Sequence, residues 1–494
     1  MSIVVGIDSG TQGTKVLLVD TEKKSVLSEA YCTHEIIVGE NGKREQDPNW
    51  WIESFRVAFK DAVSQAGISS KNIDAMGISA QQHGFVPLDE NKKPLYNAKL
   101  WCDTETAKEN DDLLNKLGND NGINTIGIKI QTGYTASKIL WFKNNKPELY
   151  RQMKYMCLPH DFLNLWLTDK YYAEHGDASG TGIYDVREQC WSKEICQLID
   201  SSGKLYQTLP KLKLPNEKIG FVKPDIADQL GLRHDVIIST GGGDNMMGAI
   251  GSGNIKNGII TMSLGTSGTV YSYSDKYIDF DSSVANFCSS SGHWLPLICT
   301  MNVTSALSEI NNLLGVEVKD IDELVNKSNI GSNGILTLPF FNGERVPELP
   351  LANASIHNLN SFNFCKANLV RSIMESVTFG LKYGLDLLVS KMPNKPKEIR
   401  LIGGGSNSKI WRQIVADITG IDVVIPLVNR GAALGAAIQA SWAIKSSIDY
   451  DIVDQLVKMD YSTVASPIKE NVIKYKEVYN KYLLLLNSTY NIKD

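Results

Sequence analysis

A β-branched run from Ile3 to Ile7 opens the chain and ends at the polar, glycine-bearing stretch Asp8-Ser9-Gly10-Thr11-Gln12-Gly13-Thr14. An alternating run follows from Lys15 to Asp20, then the turn Thr21-Glu22-Lys23-Lys24 and another strand-like stretch from Val26. Apolar runs joined by glycine-bearing turns predict β-hairpins. Past Asp47-Pro48-Asn49, the residues Trp50 to Phe59 repeat apolar side chains at helical spacing, with a proline at the start, which predicts a helix. A short strand-like run, Ala75 to Ile78, comes later. Near the far end Val472, Tyr475, Val478, Tyr479, Tyr482 and Leu483 form one stripe of a helix between Pro467 and Asn487, and such a stripe is packing.

The opening pattern then returns. Gly265-Thr266-Ser267-Gly268-Thr269 repeats the first GTxGT, again between two strand-like runs. Asp235 to Thr240 leads into Gly241-Gly242-Gly243-Asp244-Asn245, and Glu398 to Ile402 leads into Gly403-Gly404-Gly405-Ser406-Asn407. Each half therefore holds a hairpin with GTxGT and, later, a strand ending in GGGxN, in the same order. Two echoes in register point to an internal duplication. The glycine-rich stretch Ala249 to Asn254 marks the boundary, giving an N-terminal domain over 1–251 and a C-terminal domain over 252–494. Strands alternating with helical patterns put each half in the α/β class.

Length agrees with two domains, because 494 residues exceed one ordinary core. A net charge of −5 and the absence of a basic run argue against a nucleic-acid partner. None of the eight cysteines forms a C-x-x-C pair, so they read as reduced thiols of a cytoplasmic protein. The first residues lack the pattern of a secretory signal, and no apolar stretch reaches the roughly 18 residues that span a bilayer. No membrane association is expected.

A GTxGT turn aims several backbone N–H groups at one point, because glycine admits positive φ and leaves no side chain in the way. One such hairpin is usually only a turn, but two copies favour a grip on phosphate oxygens, with threonine hydroxyls as extra donors. No Walker-type G-x-x-x-x-G-K-[ST] stretch is present. Two residues before the first glycine the copies differ, Asp8 against Ser263. An acid beside a phosphate loop repels its ligand unless a cation intervenes, so Asp8 is expected to hold Mg²⁺ through water; capping the turn is the plainer reading. Asp244 follows three glycines at the start of a helix, where the helix terminus should keep its pKa low, and it could take a proton from an attacking hydroxyl. The matching Ser406 is expected to serve as a helix cap. Gln82 and His83, after the Ala75–Ile78 strand, bring donors and acceptors suited to a polyhydroxylated ligand. The remaining histidines show no metal-ligand spacing.

Together these motifs resemble the FGGY carbohydrate kinases, within the actin-like ATPase superfamily, over essentially the whole chain. Gly133 to Asn145, with Lys138 and Trp141, fits the family's first signature. Gln82-His83-Gly84, Leu158-Pro159-His160-Asp161, Asp177 to Thr181, Gly242 to Asn245, Ser263 to Gly268 and Gly343-Glu344-Arg345 look most like the branch that phosphorylates xylulose. The second signature departs at Asn358, where glycine is usual, and at Ile373. Asparagine tolerates positive φ best among other residues and is expected to preserve the backbone there. The segment after Arg345 also departs from the common pattern.

The resemblance implies two RNase-H-like α/β domains with ATP and sugar meeting in the cleft between them. Asp244 would be the base, lining the sugar site with Asn245, Gln82 and His83. Asp8 and the loop Gly10, Thr11, Gln12, Gly13 and Thr14 would handle Mg²⁺ and the phosphates, opposed by Gly265 and Thr266. Gly403, Gly404, Gly405 and Asn407 would hold the adenosine end. The expected reaction is ATP-dependent phosphorylation of D-xylulose at its terminal hydroxyl. Alternatives are a family kinase for ribulose, gluconate or another polyol, or a non-catalytic sugar or nucleotide sensor. The expected partner is a small-molecule sugar, and a homodimer is admitted.

Overall fold

The computed structural model describes residues 2–492, apart from 281, 429 and the side chain of 119. Strands β1 (Ile3–Ser9) and β2 (Gly13–Asp20) form the first hairpin, and β3 (Ser25–Thr33) continues it antiparallel. Helix α1 (Pro48–Ala66) starts where the proline predicts. Asp47 caps it by accepting from the Asn49 N–H, and Gly67, at φ 64°, ends it. Strand β4 (Ile73–Ala80) then lies parallel to β1. A long insertion follows, holding α2 (Thr135–Asn145) and α3 (Pro159–Thr168). Strands β5 (Lys218–Phe221), β6 (Ile237–Ser239) and β7 (Gly242–Gly243) complete a seven-stranded sheet. Its order is β5-β6-β4-β1-β2-β3, with β7 beside the end of β4, and α4 (Asp244–Gly251) leaves directly from β7.

The second half repeats the plan. Strands β8 (Ile259–Leu264) and β9 (Gly268–Tyr271) form its hairpin, followed by β10 (Ala285–Cys288) and β11 (Trp294–Thr300). After α5 (Lys366–Ser390) come β12 (Glu398–Ile402), α6 (Lys409–Thr419), β13 (Asp422–Val424), α7 (Gly431–Lys445) and α8 (Lys469–Tyr490). The six-stranded order is β10-β11-β9-β8-β12-β13. In both sheets the first hairpin strand is central and antiparallel to its hairpin partner; its parallel neighbour is β4 in the first sheet, with the strand leading into three glycines one place beyond, and in the second it is β12, which itself leads into three glycines. Parallel neighbours need long crossovers, which is why helices separate them in sequence.

One face of the first sheet buries Ile3, Val5 and Ile7 against Trp51, Phe55 and Phe59 of α1 and Phe162 of α3. In the second half, Val370 and Ile373 of α5, Trp411 of α6 and Tyr475 and Tyr482 of α8 share one core. Burying each such side chain contributes about 1.5–3 kcal/mol. The other face of the first sheet, with Val4, Leu17, Val19 and Ala75, is covered by α7, so a late segment of the chain completes the core of the first half. Its small residues let backbone meet backbone. A Cβ on Gly6 would lie 1.8 Å from the Ala433 carbonyl oxygen, one on Gly77 2.1 Å from that of Ala436, and one on Gly435 1.9 Å from that of Met247. Asn358 has φ 62°, the conformation expected of a glycine substitute. No helix among the described residues is long and apolar enough to cross a membrane.

Candidate active site

Long-range polar contacts hold the first GTxGT loop. Gly10 N–H donates to the Gly13 carbonyl at 3.0 Å, and the Gly10 carbonyl accepts from His34 Nε2 at 2.8 Å. Gln46 Nε2 donates to the Thr11 carbonyl, and Trp101 Nε1 donates to Thr11 Oγ1. The Thr14 hydroxyl is fully buried and engaged with Ser9 and Ser54, so it braces the loop and is not the free phosphate donor expected of it. Gly13 is glycine because a Cβ would lie 2.5 Å from the Cys32 carbonyl oxygen on β3. Gln12 stands exposed, and Gly10 and Thr11 are partly open. Sequence reasoning gave no role to His34, Gln46 or Trp101. They lie far apart along the chain and share no motif.

Asp8 sits at the end of β1 opposite Ser79 of β4, whose hydroxyl donates to its Oδ1 at 2.9 Å. Burial raises the Asp8 pKa against the lowering effects of Ser79 and Lys15. Asp244 opens α4 with Gly243 as the N-cap. Its Oδ1 accepts from the Asn245 N–H at 2.8 Å and from Asn245 Nδ2 at 3.2 Å, which leaves Oδ2 as the oxygen free to meet a ligand. The low pKa expected from the helix terminus is not found. Burial, reinforced by the nearby charges of Asp8 and Asp177, pushes Asp244 up to about 7. The N-terminus of an eight-residue helix offers a carboxylate less than desolvation and two neighbouring carboxylates take away.

The sugar-type residues gather around this carboxylate. Asn245 Nδ2 also donates to Gln82 Oε1 at 2.8 Å, so Gln82, Asn245 and Asp244 form one chain of hydrogen bonds. His83 adopts φ 60°. Its carbonyl accepts from Lys138 Nζ at 2.6 Å and Thr135 Oγ1 at 3.1 Å, both on the first turns of α2. The His83 ring lies 4.6 Å from Tyr134 and 5.9 Å from Phe287 of β10, centroid to centroid. Burial, then Lys138 and Arg345, lowers its pKa to about 3, so the imidazole is neutral and able both to donate and to accept. Its buried Nδ1 has no partner within the protein. Behind Gln82 lies His160, with Nδ1 at 2.7 Å from Asp177 and Nε2 at 2.9 Å from Asp161. Burial alone would lower the His160 pKa, but the two aspartates hold it well above the usual value. Motif reading quoted these three residues without assigning them work.

The second hairpin is held locally. The Gly265 carbonyl accepts from the Thr304 N–H and hydroxyl, and the Thr266 carbonyl accepts from Ser305 Oγ at 2.9 Å. Gly403, at φ 86°, packs beneath this turn, since a Cβ there would lie 2.9 Å from the Gly265 nitrogen. Gly404 to Asn407 form a short 3-10 turn in which Gly404 and Asn407 are exposed. Ser406 does not cap a helix as expected. Its hydroxyl donates back to the Gly403 carbonyl, and Ser408 caps α6. Thus the 265–266 and 403–407 segments adjoin, as do Asp8, Asp244, Gln82 and Asn245. No hydrogen bond among the described residues joins the 10–14 loop to the 265–269 loop. One other acidic group, Glu45, Asp103 and Glu105, is close-set enough for a metal, but Lys99 Nζ already lies 3.2, 3.2 and 2.5 Å from its three carboxylates.

Comparison with known proteins decides the family. The model of the N-terminal domain of the FGGY family of carbohydrate kinases matches residues 3–251, and that of the C-terminal domain matches residues 260–444. The chain belongs to the FGGY carbohydrate kinases. A xylulose kinase of Haemophilus influenzae is 48% identical over 492 residues, covering 98% of this chain and 100% of that protein. Two solved structures from Lactobacillus acidophilus superpose equally well, at TM-score 0.91 over 99% of this chain and 98% of theirs. One is a xylulose kinase at 23% identity and the other a gluconate kinase at 24%. The FGGY fold is therefore common to kinases of different sugars, and the backbone alone does not choose among them. As a family member the chain is an ATP-dependent sugar kinase of two-domain α/β architecture.

Proposed function

We propose that this kinase transfers the γ-phosphate of ATP to the terminal hydroxyl of D-xylulose, with Asp244 as the general base. The observation that carries the base assignment is the Asp244 carboxylate itself, with Oδ1 tied to Asn245, Oδ2 open and a pKa near 7. A base poised there is partly ionised near neutral pH and still has appreciable proton affinity. The sugar O–H bond breaks toward Asp244 Oδ2 as the oxygen bonds the γ-phosphorus and ADP departs. Asn245, Gln82 and the neutral His83 supply the donors and acceptors that orient the sugar. Identity of 48% to a xylulose kinase along the whole chain supports D-xylulose over other sugars.

The residues present also suit Mg²⁺. Asp8 carries a half-buried carboxylate with one hydroxyl partner, and its charge works against that of Asp244, so a cation would relieve both. Bound through water to Asp8, Mg²⁺ would neutralise charge on the phosphates. The N–H groups of Thr11 and Gln12 in the loop from Gly10 to Thr14, and those of Gly265 and Thr266, would bind the phosphate chain, while Gly403 to Gly405 and Asn407 would hold the adenosine. We assign sugar binding and the base to residues 1–251 and the nucleotide to residues 252–494. Eight free cysteines favour a reducing, cytoplasmic setting. Sugar-dependent ADP release measured on D-xylulose, D-ribulose, gluconate and glycerol tests the assignment. D-xylulose should give the highest kcat/KM, and a clear preference for any other would overturn the substrate.

A further inference from the structure

We infer that Gln439, on the α7 segment of the C-terminal half, is a positioning residue for the loop that carries Asp244. This inference rests on Asp244 acting as the base. The register of the strands along β4 carries it. Ile238 stands opposite Met76, whereas Gly242 stands opposite Ser79, so the stretch between them holds one residue more than the stretch of β4 it faces. This is a bulge in a parallel pair, and Gly241, at φ 77°, is where the chain turns out of the ladder. Buried backbone groups released from a ladder must be paired elsewhere.

Gln439 pairs them. Its Oε1 accepts from the Gly241 N–H at 2.8 Å and from Ser239 Oγ at 2.9 Å, and its Nε2 donates to the Gly241 carbonyl at 3.0 Å. One fully buried amide thus meets both backbone groups of one residue, as a neighbouring strand would. From the other side Asn164 Nδ2 donates to the Thr240 carbonyl at 2.7 Å. A Cβ on Gly241 would lie 2.7 Å from the Ile78 carbonyl oxygen, so the bulge is closed in toward β4 as well. Asp244 follows three residues later. Bulges re-aim the side chains beyond them, and a displacement of about 1 Å in a reacting group can lower a rate about 10²-fold. Gln439 therefore acts through the loop, not on the substrate.

Gln439→Met keeps the length of the side chain and removes all three hydrogen bonds. Its kcat with sugar should fall about 10- to 100-fold, while KM for ATP stays within about twofold because the hydrogen bonds of this amide go to Ser239 and Gly241 and not to the 265–266 or 403–407 segments. Gln439→Glu keeps an acceptor for the Gly241 N–H and loses the amide donor, so its kcat should lie between wild type and Gln439→Met. A folded Gln439→Met enzyme with wild-type kcat overturns the inference. Should Gln439→Met be too unstable to assay, Gln439→Glu decides: reduced kcat at unchanged KM for ATP supports the role, and a lowered Tm with unchanged kcat overturns it. Asp244→Asn is measured alongside. If that variant stays active the base assignment fails, whereas an inactive Asp244→Asn with fully active Gln439 variants removes only the positioning role.

Discussion

The two GTxGT hairpins have the same sequence pattern and the same place in their sheets, yet they are built into the protein differently. The first is braced by side chains from four separate segments, His34, Gln46, Ser54 and Trp101. The second leans on Thr304 and Ser305 at the start of the helix that follows β11. The two GGGxN strand ends diverge further. In the first, the fourth residue is Asp244 in the opening turn of a helix, facing Asp8 and Asp177. In the second, Ser406 is folded back on Gly403 inside a 3-10 turn. A repeated motif repeats its backbone more faithfully than its electrostatics, because charge depends on neighbours the motif does not contain.

Paired substitutions at matching positions break this comparison most sharply. Asp244→Asn should lower kcat about 10²- to 10⁴-fold, while Ser406→Ala stays within about twofold; similar losses in both would erase the asymmetry. Next in size, Asp8→Asn should raise the Mg²⁺ concentration needed for half-maximal rate about 10- to 100-fold, and Ser263→Ala should leave it unchanged in the same titration.

The pH dependence is more graded. Asp244 must be ionised to act, so kcat/KM should decline as pH falls through about 7. Because its folded pKa is raised, the stability it contributes is present at low pH and is lost as pH rises from the ordinary carboxylate range through about 7. Asp244→Asn should therefore raise Tm by a few degrees at pH 8 and by less at pH 5; the reverse order would contradict the shift.

The smallest contrast concerns glycine. Gly6→Ala forces a methyl to 1.8 Å from the Ala433 carbonyl oxygen and should cost about 1–3 kcal/mol in denaturant unfolding. Gly404→Ala meets no atom within 4 Å and should be nearly neutral in the same experiment.

Much of the fold was legible in order along the chain. The hairpins, α1 after its proline, α8 with its tyrosine stripe, and the repeat of strand ends all arise from local pattern, since side-chain period and turn chemistry act over a few residues. Asp8, Gln82, His83, Asp244 and Asn245 were legible as candidates because each sits at a strand end or turn with an unusual neighbour. The braces were not. His34, Gln46 and Trp101 act from separate segments, and Lys138 works by holding the His83 carbonyl, a backbone group that no motif displays.

By itself, then, the sequence determined two duplicated α/β halves, the glycine loops and the acids that distinguish the first half from the second. Only the tertiary structure decided how those acids behave and which parts of the chain support them. Burial beside Asp8 and Asp177 overrides the helix terminus at Asp244, and this depends on distances set when β1, β7 and the insertion come together. The covering of the first sheet by α7, and the amide of Gln439 closing the bulge at Gly241, belong to the same class. The amide joins residues 198 positions apart and the covering helix meets strands more than 350 positions before it, and packing, not local pattern, selects such partners.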